Sequence, residues 1–577
     1  MKHAPLILIL ALGLAAGLCG IRSGLPGPQR WRALPPALNR SPEFAGRLAD
    51  SWRRLYEGIR LSHETLQAEE PVTYVQGLVT VAPGWTFPPE PLINSARSLM
   101  TQSESPDEKK SFIILSRMRP WKLQFEPLYA QYGGAFIYPF GAFLGAAHLS
   151  GLARLTPDLT HYLIHPEDMG RLYLLGRVFI LLFHLGTLWV LYETGLLLGG
   201  LRAAAGAALL FCAAPFVAIG SHALKPHPVS AFWFAAAAYY MIRAVEKGDQ
   251  KNFLSCGACA GMAAGGSLTL IFAAGMPLLA RASGGRGSWR QAFWGAAVAV
   301  GVIVAFNPYL FFSPRTFAWE LSIYSPTRWG VSPEMVKEMT LRGLPRGVGL
   351  LSTALMAAGV AFGLVGKDRR RRAVSWTALI VTAFLWLRFS QMGNESLLRV
   401  FYAPFALACL MGAALLPRLP PAAAGLVLLL ALAESGARAS TYLANLSVGS
   451  GRASTRELAA DWIDTHIPAG ASLGLLRLPE PAHTPPFRWD RLELRIFDSP
   501  RAVASRLPDW IAASSSGWQL TDVSLRQQYL EVERFSSRSP LTLAMTDGSF
   551  FSNIDFVILR KKDSRHNEST SSPERAN

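Results

Sequence analysis

The sequence predicts a polytopic α-helical membrane protein of about eleven transmembrane helices, with a long first outer loop and a small C-terminal α/β domain. Three observations carry this. Half of the 577 residues are apolar and only 16% are charged. The mean hydropathy of +0.23 is high for a soluble protein and diluted for a chain of membrane spans alone, so a lipid-embedded body is joined to water-facing parts. Apolar runs recur between short basic stretches, and one long polar stretch rich in Pro and Arg, residues 21–130, separates the first run from the others.

Met1-Lys2-His3 precedes an apolar run at 4–20. It has the make of a signal peptide but is long enough for a short membrane helix, and the bundle that follows favours an uncleaved anchor. Leu18 before Cys19 argues against lipoprotein cleavage there. Within 21–130, EFAGRLADSWRRLYEGIRL has the periodicity of a surface helix. Later apolar segments are 132–153, 172–197, 201–219, 229–244, 253–280, 291–312, 346–365, 374–390, 398–416 and 421–436. Several fall short of the roughly 20 residues of a straight span. Gly261, Gly265 and Gly266 allow 253–280 to be one helix, or two short ones joined by a turn inside protein. Cys256 and Cys259 have CxxC spacing, but they sit in the small-residue run SCGACAGMAAGG, which close helix packing explains better than metal or redox chemistry.

The formal net charge is +17. Its cations lie between apolar runs and form no separate domain, which excludes nucleic acid as partner and fits basic cytoplasmic loops or a phosphate site. Lys247/Lys251, RASGGRGSWR and KDRRRR (Lys367 to Arg372) are the cytoplasmic candidates. With the N-terminus inside, all three fall inside only if 132–153 lies along the membrane and 253–280 turns back on itself. In the alternative, 132–153 crosses and 253–280 is single, which moves SHALKPHP inside and Lys247/Lys251 outside. The first arrangement is preferred. It divides the chain into a membrane domain at 1–436, an extracytoplasmic α/β domain at 437–560 and a disordered tail at 561–577. In the second of these, Ser454-x-x-Glu457 reads as a capping box, and ASLGLLRL and FVILRK read as strands.

The candidate chemistry starts at SPDEKK. The pair Asp107-Glu108 follows Pro106, as first-turn helix caps do, and both acids favour the positive helix end. Capping is the commoner role of such a pair; the other reading is a base in an outer loop, with Glu108 as the alternative base or as a partner that raises the pKa of Asp107. Arg117, Arg119 and Lys122 follow and either line an anionic site or meet lipid head groups. Arg177 heads the apolar helix of LYLLGRVFILLFHLGTLWVLYETGLLLGG, where an Arg snorkels, pairs or faces substrate. PFVAIGSHALKPHPVSAFWF holds His222, Lys225 and His227. FNPYLFFSPRTFAWEL holds Asn307-Pro308, a helix stop. QMGNESLLRVFYAPF holds Arg399, whose guanidinium fork suits phosphate oxygens.

The order of these features resembles the C-type polyprenyl-phosphate-dependent membrane glycosyltransferases, the superfamily of protein O-mannosyltransferases and aminoarabinose transferases. The resemblance runs over residues 1–436: loop acid, Pro/Tyr segment FEPLYAQYGGAFIYP, Arg helix, His-Lys turn, Asn-Pro, and a second Arg helix. It implies a hexosyl- or pentosyltransferase of the inner (plasma) membrane, with the N-terminus cytoplasmic and the C-terminal domain outside. The sugar would come from a polyprenyl-phosphate donor and pass, with inversion, to a glycan, lipid or protein acceptor. The resemblance assigns Asp107, with Glu108, to base catalysis, and Arg399, Lys225, His222 and Arg177 to the donor phosphate. His227 stands where relatives often carry Asp, a departure that leaves room for a phosphate ligand or a neutral metal ligand. The spacing of His222, His227 and a carboxylate is too unspecific to indicate a metal, which leaves a divalent ion open, and no cofactor is assigned. The rivals are a transporter or flippase for a lipid-linked glycan, and a relative without catalysis.

Overall fold

The structure is a computed structural model that describes residues 3–65, 78–105, 107–127, 132–313, 332–389, 399–448, 454–497, 507–519, 523–536 and 554–562. The disordered tail expected at 561–577 begins on Lys561, which is the last residue of a strand, and from 563 on it lies outside the described residues, as do the part of FNPYLFFSPRTFAWEL after Ser313 and the part of QMGNESLLRVFYAPF before Arg399.

Helix α1 (Ala4–Leu18) begins with Pro5 in its first turn, where no intrahelical donor is needed. The stretch after α1 forms α2 (Pro42–Thr65), α3 (Glu90–Thr101) and α4 (Glu108–Arg117). Next come α5 (Gly134–Leu149), α6 (Leu159–Ile164) and α7 (Pro166–Cys212). The run of α7 is two antiparallel arms. Gly199 and Gly200 leave helical geometry, Gly200 at φ +70°, a conformation that glycine adopts freely. A Cβ on Gly195 would lie 2.5 Å from Ala204 Cα, so the arms touch backbone to backbone. The segments expected at 172–197 and 201–219 are therefore one hairpin.

The chain continues through α8 (Pro215–Ser221), α9 (Pro226–Lys247), α10 (Gln250–Gly266), a 3₁₀ run at Leu268–Gly275, α11 (Met276–Ala282) and α12 (Trp289–Phe306). Further helices are Leu350–Val365, Arg369–Phe389, Tyr402–Ala413 and Pro421–Val448, the last running twelve residues past the expected end at 436. The small-residue run lets α10 and α12 meet at their backbones: a Cβ on Gly257 would sit 1.9 Å from the Gly295 carbonyl oxygen. Cys256 and Cys259 in the same run are buried and free.

Among the described residues four helical stretches are long and apolar enough to cross a membrane: Pro166–Cys212, Trp289–Phe306, Arg399–Arg418 and Pro421–Ser447. A bent pair, Pro333–Val348 with Leu350–Val365, makes up to five. Ala4–Leu18, Gly134–Leu149 and Leu268–Ala282 are apolar but shorter. These criteria return fewer crossings than the eleven expected, because breaks such as the one at Ser267 divide apolar segments into short helices.

The ends of the bundle are sorted by charge. Arg286 N–H donates to Val245 O at 3.0 Å, so the chain that leaves at Lys247 is back beside it by residue 286, and 250–282 doubles back. Arg370 joins the same end, pairing with Glu246 at 2.7 Å and donating to Leu197 O. All three basic loops thus share one end. Lys225 lies at the other end of α9, about 33 Å away at 1.5 Å per residue. At that opposite end, α5 starts beside Gly266, whose carbonyl accepts the Gly133 N–H. It ends beside α6, which packs on α2 and α3. Both ends of α5 therefore belong to one end of the bundle.

The water-facing parts are fused. Strands β1 (Leu78–Val81), β2 (Ser472–Leu475), β3 (Glu493–Phe497), β4 (Trp510–Ser514), β5 (Tyr529–Phe535) and β6 (Phe556–Lys561) form one sheet ordered β1-β3-β2-β4-β6-β5. β1 comes from the stretch between α1 and α5 and pairs antiparallel with β3, Leu78 opposite Phe497. One apolar core joins Trp31, Phe44 and Leu92 to Ile463, Phe487 and Trp489. Arg456 pairs with Glu104 across the seam at 2.7 Å. This corrects the division at 437: the first loop and the C-terminal part are one body. The capping box of Ser454 and Glu457 is present, and both expected strands form.

Gly257→Ala should destabilise the protein by about 1–3 kcal/mol, the usual cost of overpacking. Gly46→Ala, with nothing within 4 Å of the added methyl, should not. Thermal midpoints in detergent compare the two.

Candidate functional site

Asp107 and Glu108 are neighbours in sequence with opposite environments. Glu108 is fully buried. Its Oε1 accepts from Arg177 Nε at 3.0 Å and from the Leu224 N–H at 2.9 Å. Its Oε2 accepts from Arg177 Nη2 at 2.9 Å and from the Ser103 hydroxyl. Arg177 uses Nη1 on the carbonyls of Ile21 (2.8 Å) and Ser23 (2.7 Å). Four of the five guanidinium N–H groups are engaged, and four segments meet on the fork: the chain after α1, the start of α4, α7 and the turn before α9. This corrects two expectations. Glu108 is not an available base, and Arg177 is buried and committed to Glu108 and two backbone carbonyls rather than open to a phosphate. Burial of each is made tolerable by the other and by the added hydrogen bonds.

Asp107 occupies the N-cap position of α4, yet its side chain makes no capping hydrogen bond. Its side chain is 24% exposed, with Oδ2 at 2.7 Å from Arg399 Nη1 and 3.0 Å from Lys225 Nζ. Oδ1 lies 3.6 Å from Lys110 Nζ. Lys225 beside it, then Arg399 and Lys110, hold the Asp107 carboxyl well below the usual carboxylate range, against burial acting the other way. Burial lowers Lys225 in turn, opposed by Asp107. Asp107 and Arg399 are 292 positions apart in the chain. Three of the sequence candidates thus converge.

His222 does not join them. It is buried, its ring nitrogens 2.7 Å from Ala218 O and 3.0 Å from Cys19 O, so it ties α8 to the end of α1. The expected phosphate role of His222 is corrected accordingly: its ring is buried between two backbone carbonyls. His227, in the first turn of α9, is half-buried in the field of Arg399, Lys225 and Asp107.

Asn307 does more than stop a helix. Its Oδ1 accepts the Gly134 N–H at 3.0 Å, and its Nδ2 donates to Gly265 O (3.2 Å) and Ile303 O (3.0 Å). The glycines there admit no side chain: a Cβ on Gly133 would lie 2.0 Å from Gly265 O, and one on Gly134 would lie 1.7 Å from Phe306 O. The paired Gly-Gly steps at 133–134 and 265–266 were the available sequence signal for this knot. Tyr402, after Arg399, is buried and donates to Val217 O at 3.3 Å. No group of three or more His, Cys, Asp or Glu side chains placed to hold a metal occurs among the described residues.

Residues 171–312 match the family described as dolichyl-phosphate-mannose-protein mannosyltransferase. The matched span contains Arg177, His222, Lys225, His227 and Asn307, and stops short of Asp107 and Arg399. Among curated proteins none matches by sequence. Among solved structures, the chain is similar to ArnT from Cupriavidus metallidurans bound to undecaprenyl phosphate, at 15% identity and TM-score 0.42, covering 81% of this chain and 96% of that one. It is also similar to the oligosaccharyltransferase AglB from Archaeoglobus fulgidus in complex with an inhibitory peptide and a dolichol-phosphate, at 12% identity and TM-score 0.39, covering 70% and 65%.

Glu108→Ala should leave Arg177 buried without its counter-charge and destabilise the protein by about 3–5 kcal/mol. Folded yield and thermal midpoint should both fall, and unchanged values would remove the clamp from its structural role.

Proposed function

We propose that this chain is a multi-pass membrane glycosyltransferase that takes a sugar from a polyprenyl-phosphate donor and passes it to an acceptor outside the cytoplasm. One observation carries the reading. A partly exposed carboxylate, Asp107, shares one oxygen between an ammonium and a guanidinium at the bundle end opposite the basic loops. The match of residues 171–312 to a family of prenyl-phosphate sugar transferases supports the same chemistry.

In this reading Asp107 is the general base. It takes the proton of the acceptor nucleophile as the nucleophile bonds to the anomeric carbon. The bond from that carbon to the phosphate oxygen breaks with inversion, and the electron pair leaves on the polyprenyl phosphate. Lys225 and Arg399 stabilise that growing charge, Arg399 through its planar fork. Without donor the two cations rest on Asp107. A donor phosphate competes for them, and as they turn to it the carboxylate regains basicity. The N-terminus and the basic loops would then be cytoplasmic, with the first loop and sheet outside, in the inner membrane. A transporter would place its polar groups near the midplane on broken helices, whereas this trio lies at the end of α9.

Asp107→Asn should lower kcat by about 10²–10⁴-fold, with membrane insertion unchanged, in an assay offering a panel of polyprenyl-phosphate sugars to envelope acceptors. Wild-type rates would remove Asp107 as base.

The pH dependence has a definite sign. A base held well below the ordinary range stays ionised, and active, to low pH, and activity fails only as pH falls through the lowered pKa. In Lys225→Met the largest cause of that depression is gone, so the acid limb of kcat/KM should move to higher pH. An unmoved limb would show that another group governs it.

A further inference from the structure

The chain between α4 and α5 makes a small hairpin. The backbones of Arg119 and Gln124 exchange hydrogen bonds at 2.8 and 3.2 Å, closing a turn over Pro120–Lys122 with Leu123 at φ +56°. Leu123 and Arg40 are the only non-glycine residues with positive φ among the described residues. A branched apolar residue there is strained, and such strain concentrates at functional segments. The turn presents Trp121 at 75% and Leu123 at 78% exposure. Arg119 and Lys122 beside them are also exposed.

The hairpin sits at a defined level. Tyr309 accepts the Phe125 N–H at 3.3 Å, and Tyr138 donates to Phe125 O at 3.3 Å. Tyr309 lies just past the end of α12, one of the helices suited to cross a membrane. The end of such a helix marks the boundary between hydrocarbon and head groups. Phe311 and Phe312, 48% and 78% exposed, emerge at the same place. Large apolar side chains exposed together mark an interaction surface. An indole and apolar chains beside cations, at that depth, match a phospholipid surface: rings and methyls below the head groups, ammonium and guanidinium on the phosphates.

We propose that the hairpin at 119–124, with Phe311 and Phe312, is an interfacial anchor inserted among the phospholipids of the leaflet beside the Asp107 site. It follows α4 directly, so it sets the depth of that helix, and of Asp107 at its start, relative to the lipid phosphates. The inference does not rest on the transferase reading.

A benzophenone amino acid in place of Trp121 tests it in the otherwise native full-length chain, reconstituted in phosphatidylethanolamine/phosphatidylglycerol vesicles. On irradiation the expected product is a phospholipid adduct, read by mass spectrometry. The same group in place of Leu530, exposed on β5 of the sheet, should give none. Arg119→Gln with Lys122→Gln should lower the adduct yield severalfold. A protein adduct at position 121 would mean that another chain covers the turn, and no adduct would mean that it faces water; either overturns the proposal. An adduct yield unmoved by the two charge removals would overturn the pairing with phosphates.

Discussion

The buried pair of Glu108 and Arg177 is the constraint on which the site end depends. A carboxylate with no exposure to water is tolerable only when its charge and lone pairs are met in full, and here a two-pronged guanidinium, a backbone N–H and a hydroxyl meet them. The energetic net of such a pair is small, because desolvation offsets much of the attraction. Its effect is geometric. The pair admits one arrangement of the chain after α1, the start of α4, the upper part of α7 and the turn carrying Lys225. Asp107 is the next residue, so fixing Glu108 fixes where its neighbour can point.

A second constraint acts along the bundle. Where a soluble core would be held by burial of large side chains, this one is drawn together by glycine and alanine, with backbones in contact at Gly195, Gly257 and Gly133-Gly134. In lipid the gain from hiding apolar surface largely vanishes, and close packing replaces it. The Asn307 knot belongs to the same economy of space: its amide reaches two backbones because no side chain stands between them. Together the clamp and the knot brace α4, α5, α9 and α12 around the trio of Asp107, Lys225 and Arg399.

Local pattern told much of this in advance. The amphipathic stretch from Glu43, the capping box at Ser454 and both C-terminal strands follow from rules that act within a few residues. The doubling back of 253–280 was readable because positive charge must gather on one side, and the basic loops do gather. The division of labour between Asp107 and Glu108 was not readable. The two acids are adjacent and share every local cue, and what separates them is contact with Arg177 and Leu224 for one and with Lys225 and Arg399 for the other. The same applies to His222, whose partners Ala218 and Cys19 are backbone carbonyls that no side-chain pattern announces. β1 escaped for a related reason: LVTV is a plausible strand, but its mate lies more than 400 residues later, and nothing near residue 80 names it.

That long-range strand pairing has a consequence for biogenesis. The edge of β3 is closed by a strand made before nearly all the hydrophobic helices, while β3 itself is made after the last of them. The two can meet only if every intervening helix has entered the bilayer in the right sense. One helix inserted backwards would strand the partners on opposite faces and leave an open sheet edge, the kind of surface that quality control removes. The sheet therefore closes only when both strands are left on the same side of the bilayer.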